Sequence, residues 1–174
     1  RRAKERKRIM AIREIRVVGD RVLTKKCRPV EKMTPRISEL IDDMFDTMYE
    51  ANGVGLAAPQ VGVLRRAVIV LETNVPEDED EYIIELITPE IIEASGEQEG
   101  AGGCLSVPGE FGLVKRPMHV KVRAQNRFGE WFEVEGDGLT ARCFCHEIDH
   151  LEGIVFTSKA ERMLTEEELQ SGEY

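Results

Sequence analysis

The sequence contains no apolar run approaching the roughly 18 residues that a membrane-spanning helix requires, which excludes a helical span. It also lacks the apolar core of a secretory signal, because Ile12 and Ile15 are interrupted by Arg13, Glu14 and Arg16. A cytoplasmic location is the expectation. Cysteine is sparse: Cys27, Cys104, Cys143 and Cys145 fall at uneven spacing, which argues against a disulfide framework and for reduced thiols. No phosphate loop and no glycine-spaced calcium loop is present. The net charge of −9 opposes nonspecific binding to nucleic acid, and no specific DNA partner is expected.

Positive charge is scarce except at one end. Residues 1–9 hold six Lys or Arg against Glu5 alone, a net of +5, so the remainder carries −14. Such a leader reads as a disordered extension or one added for expression, with an RNA-seeking arm or a targeting remnant as alternatives. At 174 residues, 41% hydrophobic and 33% charged, the chain fits a soluble globular protein, with residues 10–174 forming a single domain.

Only three histidines occur, and two of them stand in His146-Glu147-Ile148-Asp149-His150. On a helix, residues four apart share a face about 6 Å apart along the axis, so both imidazoles can converge on one ion. Glu147 can then move protons to and from water at that ion, and the pattern points to metal-assisted hydrolysis. Leu139, Cys143, Phe144 and Leu151 recur at helical spacing between Gly138 and Gly153, which supports the helix. Cys143 shares the face but is a poor third ligand, because seven residues of helix rise about 10 Å. It reads as a buried helix residue. The spacing leaves two sources for that ligand: a carboxylate of the tail at residues 166–168, or Cys104 far upstream.

Elsewhere the chain alternates elements with connections. Residues 12–18 suggest a short strand or extended arm. Thr34-Pro35 starts a helix whose apolar stripe is Ile37, Leu40, Ile41, Met44, Phe45 and Met48, with Glu39, Asp42, Asp43 and Asp46 expected to face water. Residues 53–60, Gly-Val-Gly-Leu-Ala-Ala-Pro-Gln, make a loop whose backbone can be approached closely, with Gln60 as its one functional side chain. Residues 66–71 read as a doubly buried strand, and residues 82–87 and 90–94 as two strands split by Pro89. The glycine-rich residues 95–103 lead to Cys104 on an irregular loop. Residues 120–124 and 131–135 form a hairpin with His119 on its polar face, residues 154–156 a last strand, and Thr165 with Glu168 a capping box.

Three segments together resemble peptide deformylase. Residues 53–60 match the family's G-φ-G-φ-A-A-x-Q, residues 145–150 match Q/C-H-E-x-D-H, and Gly103-Cys104-Leu105-Ser106 matches four of the five positions of E-G-C-L-S. The resemblance runs from about residue 12 to 156 and implies an α+β fold, with antiparallel sheets around a central metal-binding helix. It implies Cys104, His146 and His150 as ligands of one divalent metal, ferrous iron first, with zinc, nickel or cobalt as alternatives. It makes Glu147 the proton carrier and gives Gln60 and the Leu105 N–H to the oxygen that gains charge. Gly55 would pair with extended peptide, while Val54, Leu139 and Cys143 are candidates for the methionine pocket. The substrates implied are N-formyl-Met nascent peptides, met near the ribosomal exit tunnel.

Two positions depart from the family pattern. Gly102 replaces the glutamate of E-G-C-L-S, which the family uses to brace the cysteine loop through an arginine such as Arg116, and Thr88 replaces the asparagine of I-N-P. Losing that support while every ligand position survives predicts an active or weakened deformylase, with a catalytically weakened or silent metal- and peptide-binding homologue as the alternative.

Overall fold

Thr34 begins helix α1 (Pro35–Glu50) as expected: its hydroxyl accepts from Ile37 N at 3.4 Å and Pro35 follows in the first turn. The computed structural model describes residues 11–174, so the leader of residues 1–9 and Met10 lie outside the described residues. The stripe of α1 buries Leu40, Ile41, Met44 and Met48. Its other side corrects the reading of a water-facing acidic row, because Asp43 and Asp46 are buried. Residues 12–18, extended but unpaired as a strand, run nearby, with Arg13 Nη2 2.9 Å from Asp43 Oδ2 and Arg13 N donating to Thr47 Oγ1 at 2.9 Å.

Every ladder between the named strands is antiparallel. A five-stranded sheet has the order β1 (Gly55–Ala57), β2 (Ala67–Glu72), β3 (Tyr82–Ser95), β6 (His119–Gln125), β7 (Trp131–Asp137). A three-stranded sheet joins β4 (Gln98–Cys104), β5 (Val107–Arg116) and β8 (Arg162–Met163). Helix α2 (Leu139–Leu151) carries the two clustered histidines, and a capped tail helix α3 (Glu166–Ser171) follows.

Strand alternation sorts the core into two layers. Ala67 and Ile69 pack with Leu40, Ile41 and Met44 of α1, whereas Val68 and Val70 pack with Phe144, Ile148 and Leu151 of α2. β2 is therefore buried on both faces, as its apolar run indicated. The far side of α2 meets the small sheet: Arg142 donates to Val114 O and Gly100 O, and Arg116 pairs with Asp149. This is the α+β arrangement implied above, with α2 at its centre.

Three local readings change. Cys104, expected on an irregular loop, instead ends strand β4, which takes in the glycines at 100, 102 and 103 and is fixed by pairing with β5. Residues 82–95 are one strand, its register broken between Ile87 and Glu90, where Thr88 adopts φ 51°. That left-handed conformation is costly for a β-branched residue. Thr88 is tied by its N–H to Arg66 O at 2.7 Å, and its hydroxyl accepts from Val30 N at 3.1 Å. Residues 154–156 form no strand; a 3-10 turn over Phe156–Ser158 buries Phe156 against Val107 and Val114.

Candidate metal centre

α2 starts at Gly138, whose φ of 58° suits glycine, and runs unbroken through His146 and His150. Their Nε2 atoms approach to 3.2 Å and the ring planes stand at 82° to one another. From the last position of β4, Cys104 brings Sγ to 3.3 Å from His150 Nε2. All three ligand atoms lie within 4.8 Å of one another. Bond lengths of about 2.0 to 2.3 Å in a tetrahedron put neighbouring ligand atoms roughly 3.4 Å apart, so the spacing and the thiol-imidazole chemistry fit one metal ion. The tail offers no rival: Glu168 is held by Arg162 at 2.6 Å, and the three residues above are the only such cluster among the described residues.

Burial pushes His146 well below its ordinary range, helped by the charges of His150, Arg116 and Arg142. His150 falls to about 4 through burial and the Arg116 charge. Both imidazoles are therefore neutral near pH 7 and offer lone pairs. Burial, with the Glu147 charge behind it, pushes the Cys104 thiol up to about 12, although Ser106 N–H donates to Sγ at 3.4 Å. A metal ligated by this thiol displaces its proton.

Glu147 is 3% exposed and its carboxyl is pushed up to about 8 by burial, held back by Arg116. Oε1 lies 3.5 Å from His146 Nε2, while Oε2 has no hydrogen-bond partner among the described residues. A buried oxygen in that state needs a partner the protein does not itself supply. Gly55 packs against this side chain so closely that a Cβ would sit 3.1 Å from Glu147 Cγ and Cδ. Gln60, also buried, accepts from Ala57 N through Oε1 at 3.0 Å and directs Nε2 to Cys104 Sγ at 3.4 Å and Ser106 Oγ at 3.1 Å.

Gly55, Cys104, His146 and Glu147 border one cavity of about 510 Å³, lined also by Val54, Leu105, Leu139 and Cys143, while His150 and Gln60 meet it through Cys104 Sγ. Leu105 occupies the two-residue turn between β4 and β5. Leu139 and Val54 are half-exposed at its mouth and Cys143 is buried, its thiol pushed up to about 12 by burial. All ten residues singled out in the sequence thus gather around one centre. Ser106 was missed, though it lies inside the C-L-S motif. So was the tie from the extended arm to the site, where Arg16 N donates to Gln60 O at 2.7 Å and Val18 N to Ser106 O at 2.8 Å. His119 stands apart, paired with Asp137 at 2.7 Å.

Comparison with known proteins agrees with this geometry. The polypeptide deformylase family model matches residues 12–166. A peptide deformylase of Lachnoclostridium phytofermentans is 57% identical over 86% of this chain and 90% of its own. One of Caldicellulosiruptor bescii is 53% identical over 92% and 93%. Among solved structures, a peptide deformylase of Legionella pneumophila superposes with a TM-score of 0.79 at 43% identity, covering 92% of this chain and 90% of that one. A Met-Ala-Ser-bound class I type b peptide deformylase of Acinetobacter baumannii gives 0.79 at 37% identity, covering 87% and 99%. By the extent and identity of these matches the chain belongs to the polypeptide deformylase family, metal-dependent hydrolases that remove the formyl group from the initiator methionine.

Proposed function

We propose that Cys104, His146 and His150 hold one divalent metal and that Glu147 carries the protons in hydrolysis of the formamide at the N-terminus of formyl-methionyl peptides. The observation that carries this reading is the convergence of one Sγ and two Nε2 atoms beside a buried carboxyl with an unpartnered oxygen. When bound, a divalent metal polarises the formyl oxygen and eases deprotonation of water. Glu147 takes a proton from the water that attacks the formyl carbon and returns one to the departing amine. Its burial helps it hold that proton between the two transfers. Charge developing on the formyl oxygen meets the Gln60 amide and the Leu105 N–H. The products are formate and a free methionyl amine.

Val54, Leu139 and Cys143 receive the methionine side chain, and the Gly55 backbone pairs with the extended peptide. The Met-Ala-Ser bound to the Acinetobacter baumannii relative is a peptide of this class. Thiolate with two imidazoles suits ferrous iron, the metal we favour, and also zinc, nickel and cobalt. Residues 10–174 act as one catalytic domain in the cytoplasm, meeting nascent chains near the ribosomal exit tunnel. Among the described residues no helix is long and apolar enough to cross a membrane.

The test measures formate release from formyl-Met-Ala-Ser together with metal content on the same sample. One metal per chain, turnover in the parent, and Glu147→Ala that keeps its metal without turnover are expected. Metal-replete parent that releases no formate, or Cys104→Ser that retains its metal, would overturn the reading.

A further inference from the structure

Residues alternate sides along the β4–β5 ribbon, so Gln98, Gly100 and Gly102 face the same way as their cross-strand partners Arg116, Val114 and Gly112. Glycine at 100 and 102 leaves that side bare. Arg142 of α2 lies across Gly100, its Cζ 3.6 Å from where a Cβ would stand, donating to Val114 O at 3.2 Å and Gly100 O at 3.0 Å. Arg116, 7% exposed, uses Nη1 on Asp149 Oδ2 at 2.6 Å. Both guanidiniums border the cavity that holds Glu147 and His146, and Gly102 forms part of its wall.

Few carboxylates touch these cations. Arg116 and Lys159, at 2.6 and 3.7 Å, share that of Asp149, Arg142 hydrogen-bonds only to carbonyls, and Glu147, the other carboxyl on the cavity, forms no ion pair with any of the three among the described residues. A half-buried guanidinium with no carboxylate partner offers a place for an anion. A planar guanidinium fork matches a carboxylate in shape, and apolar walls of Val114, Phe156 and Leu139 favour a small, singly charged ion over the larger, multiply charged phosphate.

We propose that Arg116, Arg142 and the bare wall at Gly102 form a binding site for a small monocarboxylate such as formate or acetate, within the reaction cavity and separate from the metal ligands. Formate is also the product of the proposed hydrolysis, so the site would retain it beside the centre that forms it. Only this last link rests on the proposed reaction; the site itself rests on the cavity wall.

The test follows line broadening of 13C-formate titrated into metal-loaded and chelator-stripped protein, in carboxylate-free buffer at constant ionic strength. Parent protein should show a formate site in both forms. Gly102→Ala should keep it, whereas Gly102→Glu, which supplies its own carboxylate, should weaken it about tenfold or more. A Cβ at Gly102 would meet Val114 Cγ2 at 3.1 Å, so Arg142→Met serves as the second variant and should weaken binding similarly. Inactive Glu147→Ala should keep the site, which separates this result from the fate of the hydrolysis. Binding seen only with metal loaded, or unchanged in both Gly102→Glu and Arg142→Met, overturns the proposal. Equal displacement by chloride overturns the assignment to carboxylates.

Discussion

The histidines of α2 and the histidine of the β6–β7 edge put the same side chain in opposite environments. His146 and His150 are enclosed between two sheets, and burial drives both toward the neutral form that ligates. His119 sits between Asp137 and Glu135, at 2.7 and 3.4 Å, and the Asp137 hydrogen bond raises its affinity for a proton. Desolvation makes a ligand, and a carboxylate at the surface makes a cation. Residue type alone distinguishes neither.

Breaking the buried side should have the largest effect: His146→Ala or His150→Ala should lose bound metal by elemental analysis and fall to background formate release. Glu147→Gln should keep one metal and lose about 10²- to 10⁴-fold in turnover, which separates proton transfer from ligation. Gly55→Ala sharpens the point, because its methyl would press on Glu147 Cγ and Cδ at 3.1 Å; turnover should drop about tenfold to a hundredfold with metal content unchanged. Metal affinity should rise by about tenfold per pH unit near neutrality, because Cys104, with its thiol at about 12, must give up a proton that the neutral imidazoles do not carry. Competition against a chelator at several pH values checks that slope, and a flat profile would mean the thiol is not a ligand. His119→Ala should have the smallest effect. Its pKa is raised on folding, so the stability it contributes is fully present below its ordinary 6.5 and lost as pH climbs through the raised value. Melting scans of parent and variant should differ in acid and converge at high pH, with metal content equal throughout.

The part of the centre carried by α2 was legible because helical periodicity is local: four residues separate His146 from His150. Cys104 was not legible by spacing, since it reaches His150 from another sheet, 46 positions away in the chain; only the resemblance supplied it. The glycines of β4 hid a strand, because glycine has low strand propensity and it is the partner β5 that orders the segment. Asp43 and Asp46 look like a solvated face, and nothing near them in sequence announces that they are covered. Arg13, which meets Asp43, lies 30 positions away. Residues 154–156 show the usual ambiguity of a short apolar run, resolved here by Phe156 turning under the small sheet.

The extended arm fastens Gln60 and Ser106 from behind, through Arg16 and Val18. Residues 13–18 are synthesised first among these, yet one of their acceptors belongs to a hairpin made much later. The Val18 half of the strap has no acceptor until that hairpin is made, so a truncation or fusion cutting into residues 13–18 would loosen the glutamine and cysteine loops together without altering a ligand.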